Sequence, residues 1–211
     1  SAAAIGVAQG AGTAQALGGS LDLTLDGSSL KVDAATVITP DIIASNGIIH
    51  EIDAVLVPNL VDVVTTDADL STLTSAVLAA DGAGAGLVST LSGAGPFTIF
   101  APVNAGFGEL LAANDLADLN ALVGAVGVET VTNVLVYHVA SGAVPSSAVV
   151  GLSSATTLGG TVTIDVAGGN VILNQGIAGL PGTNDATVTT VDILTSNGII
   201  HKLDKVITPA N

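Results

Sequence analysis

The three histidines are the side chains in this sequence best suited to metal binding or acid–base chemistry. His50 and His201 end two copies of the segment Ser-Asn-Gly-Ile-Ile-His, and His138 follows Tyr137. A zinc site needs three or four converging ligands, yet no His-x-His or His-x-x-x-His spacing occurs. In both copies the histidine alternates with Ile and Leu on the more apolar face of a strand. We therefore predict no metal site, and we expect His50 and His201 to be structural, mostly buried and hydrogen-bonded to the backbone.

Nucleophilic catalysis lacks the residues that it would need. The chain contains no cysteine, no Gly-x-Ser-x-Gly motif and no Ser/His/Asp spacing typical of a hydrolase. The glycine-rich run at residues 82–86 is not followed by Lys-Ser or Lys-Thr, as a phosphate-binding loop would be. The sequence therefore predicts a protein that is not an enzyme, with no catalytic residues and no cofactor.

Acidic side chains dominate the charged residues. Eighteen Asp and Glu face three Lys and Arg, which gives a formal net charge of −15. Such a chain repels nucleic acids and anionic membrane surfaces. Asp62, Asp67 and Asp69, or Asp22 with Asp26, offer oxygen ligands of the kind that calcium uses, but no EF-hand loop is present. We favour a solvated acidic surface, typical of a microbial protein, and weak calcium binding stays an open alternative.

Two stretches without formal charge, residues 82–108 and 130–164, are long enough to cross a bilayer. Glycine, proline, serine and asparagine interrupt both stretches. We interpret them as core segments of a globular fold and predict no membrane insertion.

An internal repeat organises the chain. Residues 41–58 return as residues 192–209 with eleven of eighteen positions identical, whereas residues 70–145 have no second copy. The spacing to an upstream Leu-Gly-Gly match indicates about ten extra residues in the second copy, which we place in residues 176–184. The repeat predicts the C-terminal half of a domain at residues 1–60, a linker at residues 61–69 and a complete domain at residues 70–211.

Hydrophobic periodicity predicts β-structure in the repeated segments. Residues 21–32 and residues 161–173 each read as a hairpin. The dipeptides Asn46-Gly47 and Asn197-Gly198 are turn signals, and period-two strands follow them.

The unrepeated middle of the chain reads as mainly helical. We expect a helix capped by Asp69 that ends near Gly82, a short helix at residues 86–91 and a buried strand at residues 97–100. Asn104 is expected to cap the next helix, and a further helix at residues 128–134 is expected to run into residues 135–139. Helices first and strands later indicate an α+β fold.

Three blocks of this sequence resemble the signature blocks of fasciclin domains. They are residues 97–107, the Tyr137-His138 pair and residues 196–207, and residues 1–58 resemble only the last block with its preceding hairpin. The motif residues, for which we expect structural roles, are Phe97, Thr98, Phe100, Pro102, Asn104, Phe107, Asn46, Gly47, His50, Asn197, Gly198 and His201.

The resemblance implies a wedge with a β-sandwich-like core and helices packed on one side. It also implies an extracellular or cell-surface protein, present in tandem copies, that adheres to other proteins or to cell-surface and matrix polymers. The binding residues that it implies are Asp41, Ile42, Asp192, Ile193, Tyr137 and His138. For the Tyr-His pair a buried hydrogen-bonded role, with Asn104 or a loop backbone as partner, is the favoured alternative.

The main prediction is therefore a non-enzymatic adhesion, matrix or surface-assembly protein. A half-domain without its helices would expose an apolar face, so self-assembly into a homo-oligomer through this half is a further hypothesis. The alternative function is binding of a small lipophilic ligand such as a carotenoid, which the mean hydropathy of +0.74 would suit. Aromatic stacking in a pigment cleft is poorly served by three Phe and one Tyr.

Overall fold

The computed structural model describes residues 11–16, 19–33 and 35–209. The chain divides between Pro58 and Asn59 into two compact units, Ser1–Pro58 and Asn59–Asn211. We call them the first unit and the second unit.

The described part of the first unit is one antiparallel sheet, in which each strand pairs with the next along the chain. Gly27, with φ of +64°, makes the tight turn of the hairpin predicted at residues 21–32. The strands are β1 (Ala11–Ala16), β2 (Gly19–Asp26), β3 (Ser29–Val32), β4 (Ala35–Ala44) and β5 (Gly47–Ile52). Among the described residues, β5 therefore has one free edge.

The second unit combines helices with a closed sheet, which confirms the predicted α+β fold. Its helices are α1 (Leu60–Thr66), α2 (Ser71–Gly82), α3 (Leu87–Ser92), α4 (Asn104–Ala113), α5 (Leu119–Val126), α6 (Val128–Tyr137) and α7 (Ser146–Val149). Its strands are β6 (Phe97–Pro102), β7 (Val139–Ser141), β8 (Ser154–Thr157), β9 (Gly160–Ala167), β10 (Asn170–Leu173), β11 (Ala186–Thr195) and β12 (Gly198–Leu203). The strands close into a barrel in the order β10-β11-β12-β6-β7-β8-β9, with β6 and β12 parallel.

Strands β6 and β12 separate two hydrophobic cores. Ile99 and Ile200 belong to the core beneath the helices, whereas Phe100 and Leu203 belong to the core inside the barrel. Because both faces of these strands are buried, the polar face that period two predicted for β12 is largely covered.

Helix α1 occupies the segment that we predicted as a linker, so that prediction is wrong. Asn59 begins the helix: its side-chain oxygen accepts hydrogen bonds from the N–H groups of Val61 and Asp62, and the Asp62 carboxylate accepts from the N–H of Asn59. Leu60 and Val64 are buried in the helical core. Burial of these two side chains fixes the segment to the second unit.

The predicted helix caps at Asp69 and Asn104 are also wrong. Asp69 lies in a 3₁₀ turn, Ala68–Leu70, which Asp67 caps. The Asn104 side chain leaves its own helix and accepts a hydrogen bond of 2.9 Å from the N–H of Thr72, near the start of α2. Asn104 therefore caps a neighbouring helix, because α2 and α4 pack against each other.

The sheets of the two units repeat each other in pairing as well as in sequence. Ile42 pairs with Ile49 in the first unit as Ile193 pairs with Ile200 in the second, with register shifts at equivalent positions. The connection between β3 and β4 is residues 33–34, whereas β10 and β11 are joined by residues 174–185. Twelve residues minus two gives the ten extra residues, which lie in this loop.

Among the described residues no single helix is long and apolar enough to cross a bilayer. Helices α5 and α6 meet the length and composition criteria only together, as a pair bent by 106°.

Candidate interaction surface

Each of the two repeated hairpins bends at an aspartate that we predicted as a binding residue. Asp41 and Asp192 have φ of +57° and +58°, in the left-handed region that Asp tolerates better than most side chains. The strand pairing shifts register next to each of them. The following residues differ in exposure, since Ile42 is exposed and Ile193 is half-buried.

Asp192 is held by the start of helix α7. Its carboxylate accepts hydrogen bonds from the Ser146 hydroxyl at 2.5 Å and the Ser146 N–H at 2.8 Å, and these bonds hold the pKa of Asp192 below its usual value. His201 accepts from the N–H of Asp192 at Nδ1, so its Nε2–H donates to the carbonyl of Val144 at 2.9 Å. The serine therefore contacts the carboxylate rather than the imidazole, and the three residues do not form a catalytic triad.

His50, like His201, accepts a hydrogen bond from the N–H of the aspartate. Among the described residues it has no counterpart of the bond from His201 to the carbonyl of Val144. Its Nδ1 accepts a hydrogen bond of 3.2 Å from the N–H of Asp41, and 28% of its side-chain surface is exposed. His201 is 1% exposed. His50 is therefore less buried than His201, because the described part of the first unit has no layer over this strand.

Tyr137 and His138 end helix α6 and lie inside the second unit, each 3% exposed. The Nδ1–H of His138 donates to the carbonyl of Val134 at 2.7 Å, and Nε2 accepts from the N–H of Ile207 at 3.0 Å. Both ring nitrogens are satisfied by backbone groups. This geometry supports the structural alternative for the pair, since neither side chain reaches the surface.

A buried polar network surrounds the Tyr137 hydroxyl. The hydroxyl donates to the carbonyl of Thr161 at 2.8 Å and accepts from the Asn174 amide at 3.1 Å. The same amide group reaches Asn184 Oδ1 at 3.1 Å and the carbonyl of Thr208 at 3.0 Å. The partner of Tyr137 is thus Asn174 of the ten-residue-longer loop, and not Asn104.

Acid should destabilise the second unit through His138. Burial lowers the pKa of His138 to about 4, despite the hydrogen bond to Val134, from 6.5 in the unfolded chain. The unfolded chain therefore takes up this proton first as the pH falls below 6.5, and stability is lost between about 6.5 and 4. Between pH 7.5 and 4.5 we expect a loss of about 2.5 kcal/mol. Urea unfolding at the two pH values, followed by Tyr137 fluorescence, measures this loss in the free energy of unfolding.

The control for this pH dependence is His138→Asn, which does not titrate. The comparison is between the pH dependence of the free energy of unfolding in the two proteins, so a lower overall stability of the variant does not affect it. An equal slope in the variant would contradict the assignment to His138.

The β6 block fills the space between the two cores. Thr98, Phe100, Pro102 and Phe107 are buried, and Phe97 and Asn104 are half-buried. The Phe100 ring stacks on the imidazole of His201 with centroids 5.8 Å apart. The Thr98 hydroxyl donates to the carbonyl of Gly142 at 2.7 Å and accepts from the N–H of Val144. These motif residues position strands and have no open face toward a ligand.

The Asn-Gly turns contact the helical layer in the second unit alone, as far as the described residues go. Asn197 donates to the carbonyls of Leu91 and Gly93 at 2.7 and 3.0 Å, and its Oδ1 accepts from the N–H of Leu60 at 2.9 Å. Asn46, the matching side chain, is exposed and makes none of these bonds within the described part of the chain.

Lys202 binds the two aspartates that we considered for calcium. Its ammonium group lies 2.7 Å from Asp67 and 3.0 Å from Asp69, with 12% of the side chain exposed. Burial lowers the pKa of Lys202, but the hydrogen bonds to both carboxylates outweigh it and leave the pKa raised. The first unit has Glu51 at this position. This ion pair was not predicted from the sequence, although the two repeats differ in charge at this position, with Lys202 in one and Glu51 in the other.

Residues of identical type are buried in one unit and exposed in the other. Ile48 and Ile49 are 54% and 56% exposed, whereas Ile199 and Ile200 are 6% and 0% exposed. The first unit also exposes Ile42 and Val55, and the counterparts of Ile42, Ile49 and Val55, which are Ile193, Ile200 and Val206, belong to the helical core of the second unit or pack against it. We call Ile42, Ile49 and Val55, with the free edge of β5, the open face.

Within the described ranges, no group of three or more His, Cys, Asp or Glu side chains is arranged to hold a metal ion. An apolar cavity of about 40 Å³ lies beneath α1, α2 and α3, lined mainly by aliphatic side chains. It is far smaller than the dry apolar cavities of ~150 Å³ that are known to bind benzene.

Sequence comparison matches the chain to known proteins over most of its length. Protein sll1483 of Synechocystis sp. is 35% identical over 150 residues, which cover 71% of this chain and 73% of that protein. Human periostin is 30% identical over 185 residues, which cover 85% of this chain but 20% of periostin. The chain therefore spans about a fifth of the length of periostin.

The fold has a counterpart among solved structures. A FAS1 domain pair from the insect cell adhesion molecule Fasciclin I aligns with a TM-score of 0.55 at 17% identity, covering 94% of this chain and 67% of that chain. At this identity the likeness concerns the fold. The Fasciclin domain profile matches residues 5–58 and 68–209. Because that match spans most of the chain, this protein belongs to the fasciclin domain family.

Proposed function

We propose that this chain is a non-enzymatic extracellular adhesion or matrix module that acts through contacts with other proteins or with cell-surface and matrix polymers. The observation that carries the proposal is the open face of the first unit. Its isoleucines have the residue types of a buried strand but lie in water. Exposed apolar side chains beside a free strand edge are typical of protein interaction sites.

The chemistry of the chain supports contacts of this kind over catalysis. Ser146 and His201 make hydrogen bonds to other groups that leave no activated nucleophile. The net charge of −15 disfavours nucleic acids and anionic membranes as partners. The lipophilic-ligand alternative gains no support from the cavity beneath α1, α2 and α3, which is too small for a carotenoid.

Self-association is the expected behaviour of the open face when no other partner occupies it. A free strand edge with apolar side chains pairs readily with a second copy. We expect the molar mass from light scattering to rise with protein concentration, and beads coated with the full chain to cluster. Ile49→Lys, which places a charge on the open face, should suppress both effects.

The matched control is Ile43→Lys, on the opposite face of the same sheet. Ile43 is exposed like Ile49, but its counterpart Leu194 is also exposed in the second unit, so Ile43 is not part of the open face. Equal effects of the two substitutions, or a strict monomer that coats non-clustering beads, would overturn the proposed use of the first unit.

A further inference from the structure

We propose that the open face is a docking site for a fasciclin-type helical half that carries a basic residue opposite Glu51. By a helical half we mean a segment like residues 59–141, with helices and a strand like β6. This inference rests on the proposed function and names the partner of that surface. It goes beyond the exposure of the face, because the second unit shows what occupies each equivalent position.

Strand β12 is the template for what β5 should bind. It pairs in parallel with β6 from Gly198 opposite Phe97 to Leu203 opposite Pro102. The N–H groups of Phe97 and Val103 donate to the carbonyls of Asn197 and Leu203 at the two ends. Strand β5 has the same residue at four of these six positions, Gly47, Ile48, Ile49 and His50. We therefore expect the free edge of β5 to pair in parallel with an uncharged strand like β6.

The positions of Asn46 and Gly47 indicate that the partner of β5 includes a helical layer and is not an isolated strand. The counterpart of Asn46 bonds to groups of α1 and of the end of α3, as described for Asn197. A Cβ on Gly198 would meet the carbonyl of Phe97 and lie 2.9 Å from Leu60 of α1, whereas a Cβ on Gly47 would meet nothing within 4 Å. Gly47 thus leaves the room that a covering strand and α1 occupy beside Gly198.

Stoichiometry argues against a second copy as the source of the helical half. The described residues contain two homologous sheets and one helical half, residues 59–141. If a second copy lent its helical half to the open face, its own strands β8 to β12 would lose their cover. Exchange of helical halves between copies of this chain would therefore always leave one sheet uncovered.

Charge argues against this chain's own helical half more directly. In the second unit Asp67 and Asp69 bind Lys202 at a site with little exposure. The same helices packed on the open face would bring both aspartates against Glu51. Like charges in a largely desolvated site repel strongly. The fitting occupant therefore carries Lys or Arg where this chain has Asp67 and Asp69.

The test extends the full chain with a duplicate of residues 59–151 joined ahead of Ala11, which reproduces the natural spacing at the offset of 141 residues. One version keeps Asp67 and Asp69 in the duplicate, and the other carries Asp67→Lys and Asp69→Lys there. Hydrogen exchange of the β5 amides that point away from β4 is measured. We expect at least about tenfold slower exchange with the lysine duplicate than with the aspartate duplicate or with the unextended chain.

The reciprocal variant and a glycine control complete the test. Glu51→Lys should let the aspartate duplicate protect β5 as well. Gly47→Ala should abolish the protection in the lysine duplicate while leaving exchange in the unextended chain unchanged. Equal exchange with both duplicates, or no slowing of exchange with the lysine duplicate, overturns the inference. Exchange is measured at a concentration at which light scattering shows a monomer, so self-association of the unextended chain can fail or succeed independently.

Discussion

Truncation of Ile200 to alanine is expected to destabilise the second unit by about 4 kcal/mol, whereas truncation of Ile49 should change stability by less than about 0.5 kcal/mol. The two isoleucines occupy the same register position in the same repeated hairpin. Ile200 is 0% exposed in the helical core, and its removal leaves a cavity that a rigid strand cannot close. Ile49 is largely in water already.

Urea unfolding followed by Tyr137 fluorescence measures the second unit, since the chain has no Trp and a single Tyr. Hydrogen exchange of β4 and β5 measures the first unit. Similar losses for both substitutions would mean that Ile49 is buried in solution. The same pair also becomes informative after docking, because Ile49→Ala should then destabilise the covered complex.

Replacement of Asn174 by alanine is expected to destabilise the second unit by about 4 kcal/mol. The Asn174 side chain accepts from the N–H of Thr163 at 3.1 Å and donates toward the Tyr137 hydroxyl, Asn184 and the carbonyl of Thr208. The residue is 1% exposed, so its loss strands several buried groups that water does not reach. Each unsatisfied buried group costs roughly 1–3 kcal/mol.

Asn170→Ala is the matched control for this prediction. Asn170 begins β10 on the same side of the fold but is exposed, so its truncation should cost less than about 0.5 kcal/mol. Far-UV circular dichroism gives a second measure of unfolding that is independent of the Tyr137 environment. A loss below about 1 kcal/mol for Asn174→Ala would mean that water or other groups replace its hydrogen bonds.

The repeated strands could be predicted because two local signals agree. The Asn-Gly turns fix where β5 and β12 begin, and period-two alternation fixes their length. The identical pairing of β4 with β5 and of β11 with β12 follows from the identity of the two segments. Helix α1 was missed although its capping box, Asn59 to Asp62, stands in the sequence. A seven-residue segment with a short apolar stripe is typical of a linker. Its helical structure depends on burial of Leu60 in the core, which the local sequence does not show.

The polar contacts could not be predicted because they join distant segments. Asn174 meets Tyr137 from 37 residues away and the carbonyl of Thr208 from 34 residues away. An asparagine in a loop rich in Gly and Pro ordinarily indicates a turn. Asn104 fits the cap of its own helix equally well on paper, and only the packing of α2 against α4 decides between them. The Lys202 ion pair likewise depends on where the 3₁₀ turn places Asp67 and Asp69.

The acidic side chain at position 51 has a consequence for how the polypeptide matures on the ribosome. The first sheet is finished at residue 52, the helices follow, and the strand that they must join ends only at residue 203. At 5–20 residues per second, roughly 3 to 13 seconds separate completion of α6 from completion of β12. During that interval a sheet similar in sequence to the missing strands has already been synthesised. The like charges of Glu51, Asp67 and Asp69 are expected to disfavour packing of the helices on that sheet before Lys202 is made.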